Sequence, residues 1–312
     1  MLEKKLGEAQ TDAERAIEKV LRRVPQWQKR NLSYAALVGG LMNGNWRIDV
    51  AGDRRYFVKI PGAGSEKFID RKTAHLAAKN AHAMGIGPEV VYFDPEEGIE
   101  AFEFLEGYRA CTNADFRDPD IQLAVIDLYR KFNSGPPLPA TKTVFDMIDE
   151  HFAQARELGS HLPSDFAWIE RRYEEAKQAM LASGLDLVPC FNDPMPGNFL
   201  MKSGAGMKLI DCEFASNNER AYEIGVFIGE MFYPEDRSLE LIEKYYGSVK
   251  PAVVARVNVA RCLADIKWAS WAIVNRKLSS WDFDYQKYGA WKYMRARSLL
   301  FDPRWESWLR KL

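Results

Sequence analysis

The sequence predicts an α+β protein: a small antiparallel-sheet lobe followed by a larger, mainly helical lobe. Three observations predict it. Short runs rich in β-branched and aromatic residues (WRIDV, YFVKI, PEVVYFD and GIEAFEFL) crowd into the region before residue 106. Beyond residue 115, apolar residues recur at helical spacing in one segment after another. Those segments share no fixed period, which argues against a solenoid. The lobe boundary falls near residues 105–112, giving lobes 1–105 and 106–312.

The elements follow in order. Thr11 or Asp12 caps an extra N-terminal helix over 12–24, with Ala16, Ile17, Val20 and Leu21 at helical spacing. AGDR makes a hairpin turn between WRIDV and YFVKI, and the Gly-rich GGLMNGN precedes that hairpin. A helix over 65–84 has Phe68, Ile69, Ala77 and Ala81 as buried positions and ends at Gly85 and Gly87-Pro88. An Asp-Pro-Glu-Glu-Gly turn joins the next two strands. Helices are expected at 118–132, 143–158, 164–183, 219–232, 236–248, 251–277 and 283–299. PCFNDPMPGNFLM and GMKLIDCEF interrupt them as a loop with short β-runs on each side.

Composition excludes several classes. With 47% hydrophobic and 28% charged residues, the chain has a globular rather than a disordered make-up. A net charge of −1 supplies no field toward nucleic acid or an anionic membrane. Cys111, Cys190, Cys212 and Cys262 are dispersed and form neither a disulfide framework nor a zinc pattern, so a reducing cytoplasm is expected. The N-terminus has no apolar signal core, and no run of about 18 apolar residues occurs, so membrane insertion is not expected. Oligomeric state is not legible.

Asp193, Asn198 and Asp211 carry the chemistry. An Asp, an Asn five residues on, and an Asp after a short apolar β-run form a specific spacing. Phosphoryl transfer is mostly positioning and charge neutralisation. One carboxylate must orient or accept the proton of the attacking hydroxyl, and hard oxygen donors must hold Mg²⁺. Asp193 is therefore the expected base, with Asn198 and Asp211 as metal ligands. The alternative is that Asp193-Pro194 and Pro196-Gly197 are only turns. Upstream, Gly39, Gly40, Asn43 and Asn45 lie in a loop whose backbone can approach phosphates. Lys59 ends a β-run where its ammonium can reach phosphate oxygens. The backbone around Glu103, Phe104 and Leu105 is expected to meet an adenine edge.

These segments resemble the choline/ethanolamine kinase family, within the aminoglycoside-phosphotransferase-like, protein-kinase-like enzymes. The resemblance rests on LVGGLMNGNWRI, YFVKIPGAGSEKFIDR, FNDPMPGNFL, LIDCEFASNN with AYEIG, and WASW followed by FDYQKY, in that order from about Leu37 to about Leu299. It implies a two-lobed protein-kinase-like fold, ATP and Mg²⁺ as cofactors, and a small-molecule alcohol as substrate. Asp193 matches the family's base, Asn198 and Asp211 its metal ligands, and Lys59 its phosphate lysine. Glu213 and Asn217 or Asn218 fall in a segment resembling the family's acidic-aromatic stretch after the metal Asp, Glu230 matches an acidic residue near the family's substrate end, and both Glu213 and Glu230 are expected to meet the substrate. Several positions depart from the pattern. Phe191 stands where the family has His, Pro194 where an apolar residue such as Leu is usual, and Glu223 where it has Asp. Met42 replaces a small polar residue. Ala74 stands where a Glu pairs with the lysine, with Glu66 as a substitute.

The acceptor is read from the C-terminal aromatics. Trp268 and Trp271 share a helix face, as do Tyr285 and Tyr288. Aromatic faces plus a carboxylate such as Glu230 suit a quaternary ammonium. The same rings at the same spacing also suit a core. Choline, giving phosphocholine, is the first acceptor expected. Ethanolamine, another small alcohol or sugar, or a nucleotide-binding pseudokinase without turnover are the alternatives. His75 and His82 are expected on a solvated or partner-facing helix face.

Overall fold

The computed structural model describes residues 3–37, 43–62, 69–279 and 282–312. Contacts divide the chain into two compact units, residues 1–109 with 200–214, and residues 110–199 with 215–312. The assignment of 200–214 to the first unit departs from the simple division at 105, and it carries Asp211 and Glu213 with it.

The first unit is built on a six-stranded antiparallel sheet, in the order β1 (Lys4–Lys5), β2 (Leu32–Leu37), β3 (Asn43–Val50), β4 (Arg55–Pro61), β6 (Ile99–Glu103) and β5 (Val90–Asp94). Alternation turns Trp46, Ile48 and Val50 of β3 to the core. Gly52, at φ 74°, makes the β3–β4 turn and thereby sets the register that pairs Asn45 with Lys59. Helix α1 (Asp12–Arg23) begins at a reciprocal Thr11–Glu14 capping box and buries Ile17, Val20 and Leu21 against the sheet core. Helix α2 (Arg71–Ala83) is capped by the Asp70 side chain, so it starts later than the expected 65. Its buried face is small: Ala74, Ala77, Ala78 and Ala81. Strands β1 and β2 were not foreseen, because LSYAAL carries no clear alternation.

The second unit is helical: α3 (Pro119–Asn133), α4 (Val144–Glu157), α5 (Phe166–Ala182), α6 (Arg220–Glu230), α7 (Glu235–Tyr246), α8 (Pro251–Leu278), α9 (Tyr285–Leu300) and α10 (Trp305–Leu309). Seven of these lie within a few residues of the expected spans, while the short α10 was not anticipated. Helix α8 is buried around most of its circumference, which makes it the central element. An antiparallel strand pair, Leu187–Cys190 with Ser216–Glu219, sets Cys190 opposite Ser216 and so fixes both ends of the intervening loop. Among the described residues no helix is long and apolar enough to cross a membrane.

Candidate active site

Lys59 organises the charged centre of the first unit. It is buried on β4, and its Nζ donates to Asp211 Oδ1 at 2.9 Å and Glu213 Oε2 at 3.2 Å, with Glu100 Oε2 at 4.0 Å. Burial works against the ammonium, but the charges of Asp211, Glu213 and Glu100 outweigh it and hold Lys59 well above the ordinary lysine range. The Glu expected to pair with Lys59 is thus supplied from elsewhere. Ala74 is a buried packing residue, and Glu66 lies outside the described residues. Glu100 faces Lys59 directly across the β4–β6 ladder. His75 holds Glu100 in turn, with Nδ1 3.2 Å from Oε1 and its ring stacked 4.0 Å from Phe93. That corrects the solvated reading of His75.

Asp211 adopts φ 64°, a left-handed conformation that costs a non-glycine residue about 1–3 kcal/mol. The strained turn brings both Asp211 and Glu213 to Lys59. Asn43 Nδ2 donates to both Glu213 oxygens, at 3.1 and 3.3 Å. The Glu213 carboxyl is pushed up, first by burial and then by the charge of Asp211. Asp211 and Glu213, two hard oxygen donors that both reach Lys59, fit a divalent cation. No group of three or more His, Cys, Asp or Glu residues forms a closed metal cage among the described residues. A Mg²⁺ ion shared with substrate phosphates requires none.

The loop bearing Asp193 is held from beneath in the second unit. Glu223, fully buried on α6, accepts the backbone N–H of Phe191 at 2.5 Å and of Asn192 at 3.1 Å, and the Asn133 amide at 3.2 Å. Burial pushes the Glu223 carboxyl up to about 7, against the opposing pull of those donors. Asn192 sits at φ 67°. Its side chain donates to Ser216 Oγ and accepts from Asn218 Nδ2, both at 2.9 Å. Phe191 packs between Phe132 and Phe199. A carboxylate and an amide network therefore fix the loop where the family pattern uses a histidine. On that platform Asp193 Oδ2 accepts from Asn198 Nδ2 at 3.0 Å, and Oδ1 accepts from the Met195 N–H at 3.3 Å.

The aromatic group is closely packed. Trp271 lies 5.5 Å from Trp268, 5.6 Å from Tyr285 and 6.1 Å from Tyr288, centroid to centroid. Amino groups belonging to the protein lie over two of these rings: Lys267 Nζ is 3.0 Å from the Trp268 centroid, and Lys292 Nζ is 5.0 Å from that of Tyr288. Glu230, expected to offer free negative charge, is ion-paired with Lys292 and lies 3.7 Å from Arg295, which also grips Asp265. Packing and self-pairing account for much of what the sequence offered as a choline cage.

The residues expected to meet a nucleotide divide. Gly39 and Gly40 lie outside the described residues, while Asn43 and Asn45 lie on β3. The Glu103 N–H donates to Glu89 O and the Phe104 N–H to Arg55 O, so those two amides are spent within the fold. Of that trio, Leu105 is the one whose N–H is not given to another backbone group among the described residues. Sequence reasoning missed Glu100, Asn133, Ser216, Lys267, Lys292 and Arg295. Glu100 and Lys267 did carry a signal, since a charge inside an otherwise apolar strand or helix demands a partner.

Comparison with known proteins fits this arrangement. The family model described as choline/ethanolamine kinase matches residues 35–246. Protein LicA of Haemophilus influenzae is 21% identical over 253 residues, covering 77% of this chain and 73% of that protein. A choline/ethanolamine kinase family protein from Mesorhizobium loti superposes with a TM-score of 0.81 at 25% identity, over 96% of this chain and 98% of that one. LicA in complex with AMP gives a TM-score of 0.74 at 19% identity, over 91% and 97% of the two chains. The fold is that of choline kinases and of the wider protein-kinase-like phosphotransferases.

Proposed function

This chain belongs to the choline/ethanolamine kinase family and is a phosphotransferase with an alcohol as acceptor; on that premise we propose that it transfers the γ-phosphoryl group of ATP, with Mg²⁺, to the hydroxyl of a small alcohol. The choline and ethanolamine of the family's name are the first acceptors to assay. One observation carries the reading: Asp193 stands 3.0 Å from Asn198 on a loop locked by the buried Glu223. The AMP bound to the LicA relative supports a nucleotide as donor.

The roles follow from charge and reach. Asp193 orients the acceptor hydroxyl and takes its proton as the new O–P bond forms and the bond to the ADP oxygen breaks. Lys59, kept protonated by its carboxylates, offsets phosphate charge. Asp211 and Asn198 would hold Mg²⁺, with Glu213 beside Asp211. Bound there, the ion neutralises charge on the phosphate oxygens. Asn43, Asn45 and the Leu105 backbone are assigned to the nucleotide.

ADP release measured over choline, ethanolamine and a panel of uncharged and acidic small alcohols tests the proposal. Mg²⁺-dependent turnover of at least one acceptor is expected. Nucleotide binding with no turnover on any acceptor would instead favour a binding module.

A further inference from the structure

Lys267 lies in the middle of α8 and is 1% exposed. A lysine is rarely placed there, because burying its amine is costly without a compensating contact. Its Nζ lies over the Trp268 ring, 3.0 Å from the centroid. Lys292 approaches the Tyr288 ring next in the cluster, and Lys292 and Arg295 between them engage Glu230. Two of the four ring faces, those of Trp268 and Tyr288, and the carboxylate that would recognise a quaternary ammonium are therefore already in use by the protein.

Trp271 makes the opposite demand. Its indole Nε1 is buried and has no hydrogen-bond partner among the described residues. An indole N–H can only donate. A trimethylammonium group offers it nothing, whereas a hydroxyl or carboxylate oxygen satisfies it.

We propose that Lys267 is a specificity-determining residue: by occupying the Trp268 face it excludes quaternary ammonium groups, and the site takes a small alcohol whose non-reacting end carries an oxygen acceptor. The exclusion does not depend on protonation. A charged Lys267 repels a second cation, and a neutral one still fills the face that a trimethylammonium would need. Burial pulls the Lys267 amine well below the ordinary lysine range, so an approaching cation would depress it further, while an anionic oxygen would restore its charge. The inference rests on the phosphotransfer reading for the reaction but not for binding.

Calorimetric titration of the full chain with tetramethylammonium and with choline tests it, beside Lys267→Met and Lys267→Leu. Both variants replace a buried amine by an apolar group, and circular dichroism checks that each is folded. Wild type should bind both probes weakly. Either variant should bind them about tenfold or more tightly, with Mg-ADP affinity unchanged. Adding Trp268→Leu should remove the gain. Equal affinity in wild type and both variants, whether both bind or neither does, overturns the proposal. In turnover, an alcohol bearing a carboxylate or second hydroxyl should exceed choline in kcat/KM by about tenfold in wild type. Choline as the better substrate would also overturn it. Absence of turnover on every alcohol would defeat the phosphotransfer reading, while the titration still decides the role of Lys267.

Discussion

The Glu223 carboxylate accepts the backbone N–H of Phe191 at 2.5 Å, which ties α6 to the loop that carries Asp193. The same carboxylate takes the Asn192 N–H, so two successive amides share one buried anchor. Glu223→Gln keeps the shape but weakens both bonds, because a neutral amide oxygen is a poorer acceptor than a carboxylate. We expect kcat to fall about tenfold with nucleotide affinity unchanged, since the loss is in positioning rather than binding. Parallel loss of nucleotide affinity would make Glu223 a general packing residue.

The same group gives stability a pH dependence. Its folded pKa, about 7, lies above the ordinary 4.5. The folded state therefore holds the proton over a range where the unfolded chain has lost it. The Glu223 contribution is fully present below about pH 4.5 and is lost as pH rises through about 7. Urea midpoints measured between those limits should show a downward trend in wild type that is flattened in Glu223→Gln. An identical slope in both proteins would assign the trend to other groups.

Asp193→Asn should abolish turnover, with a loss on the order of 10²–10⁴-fold, while Mg-ATP binding survives. The amide keeps the contact with Asn198 within reach but cannot take a proton. A thermal-shift titration with Mg-ATP beside an ADP-release assay separates the two effects. Retained turnover would remove Asp193 from the role of base.

Much of this arrangement was legible in the sequence, and for identifiable reasons. Asp193 and Asn198 lie five residues apart in one short loop, so a contact between them is encoded locally. The helical spans were legible because α3 and α4 carry apolar residues at helical spacing and clear caps. The partners of Lys59 were not, because Glu100 and Glu213 reach it through sheet pairing and a left-handed turn, which local pattern does not encode. The aromatic cluster misled for a related reason. Spacing placed Trp268 and Trp271 on one face, but it could not reveal that Lys267 folds back over the Trp268 ring.

Lys59→Met should expose how the carboxylates depend on their cation. Asp211, Glu213 and Glu100 would remain crowded with no ammonium among them, at a cost of about 3–5 kcal/mol to folding. A divalent cation should repair part of that loss. Mg²⁺ without nucleotide should therefore raise the melting temperature of Lys59→Met more than that of wild type, and EDTA should reverse the gain. Equal Mg²⁺ responses would argue against Asp211 and Glu213 as the ion's neighbours.

Trp271 tests how far the aromatic group is core. It is 6% exposed and contacts three other rings. Truncation to Ala leaves a large cavity on α8, and such losses cost about 3–5 kcal/mol in a packed interior. Trp271→Phe keeps most of the ring contacts and should cost clearly less. Denaturant unfolding of the two variants measures the difference. If Trp271→Ala were as stable as wild type, the ring would be a pocket wall with little packing role, and its effect should then appear in acceptor KM. A large stability loss in Trp271→Ala, with acceptor KM little changed in Trp271→Phe, would identify the ring mainly as support for Lys267 and the N-terminal turn of α9.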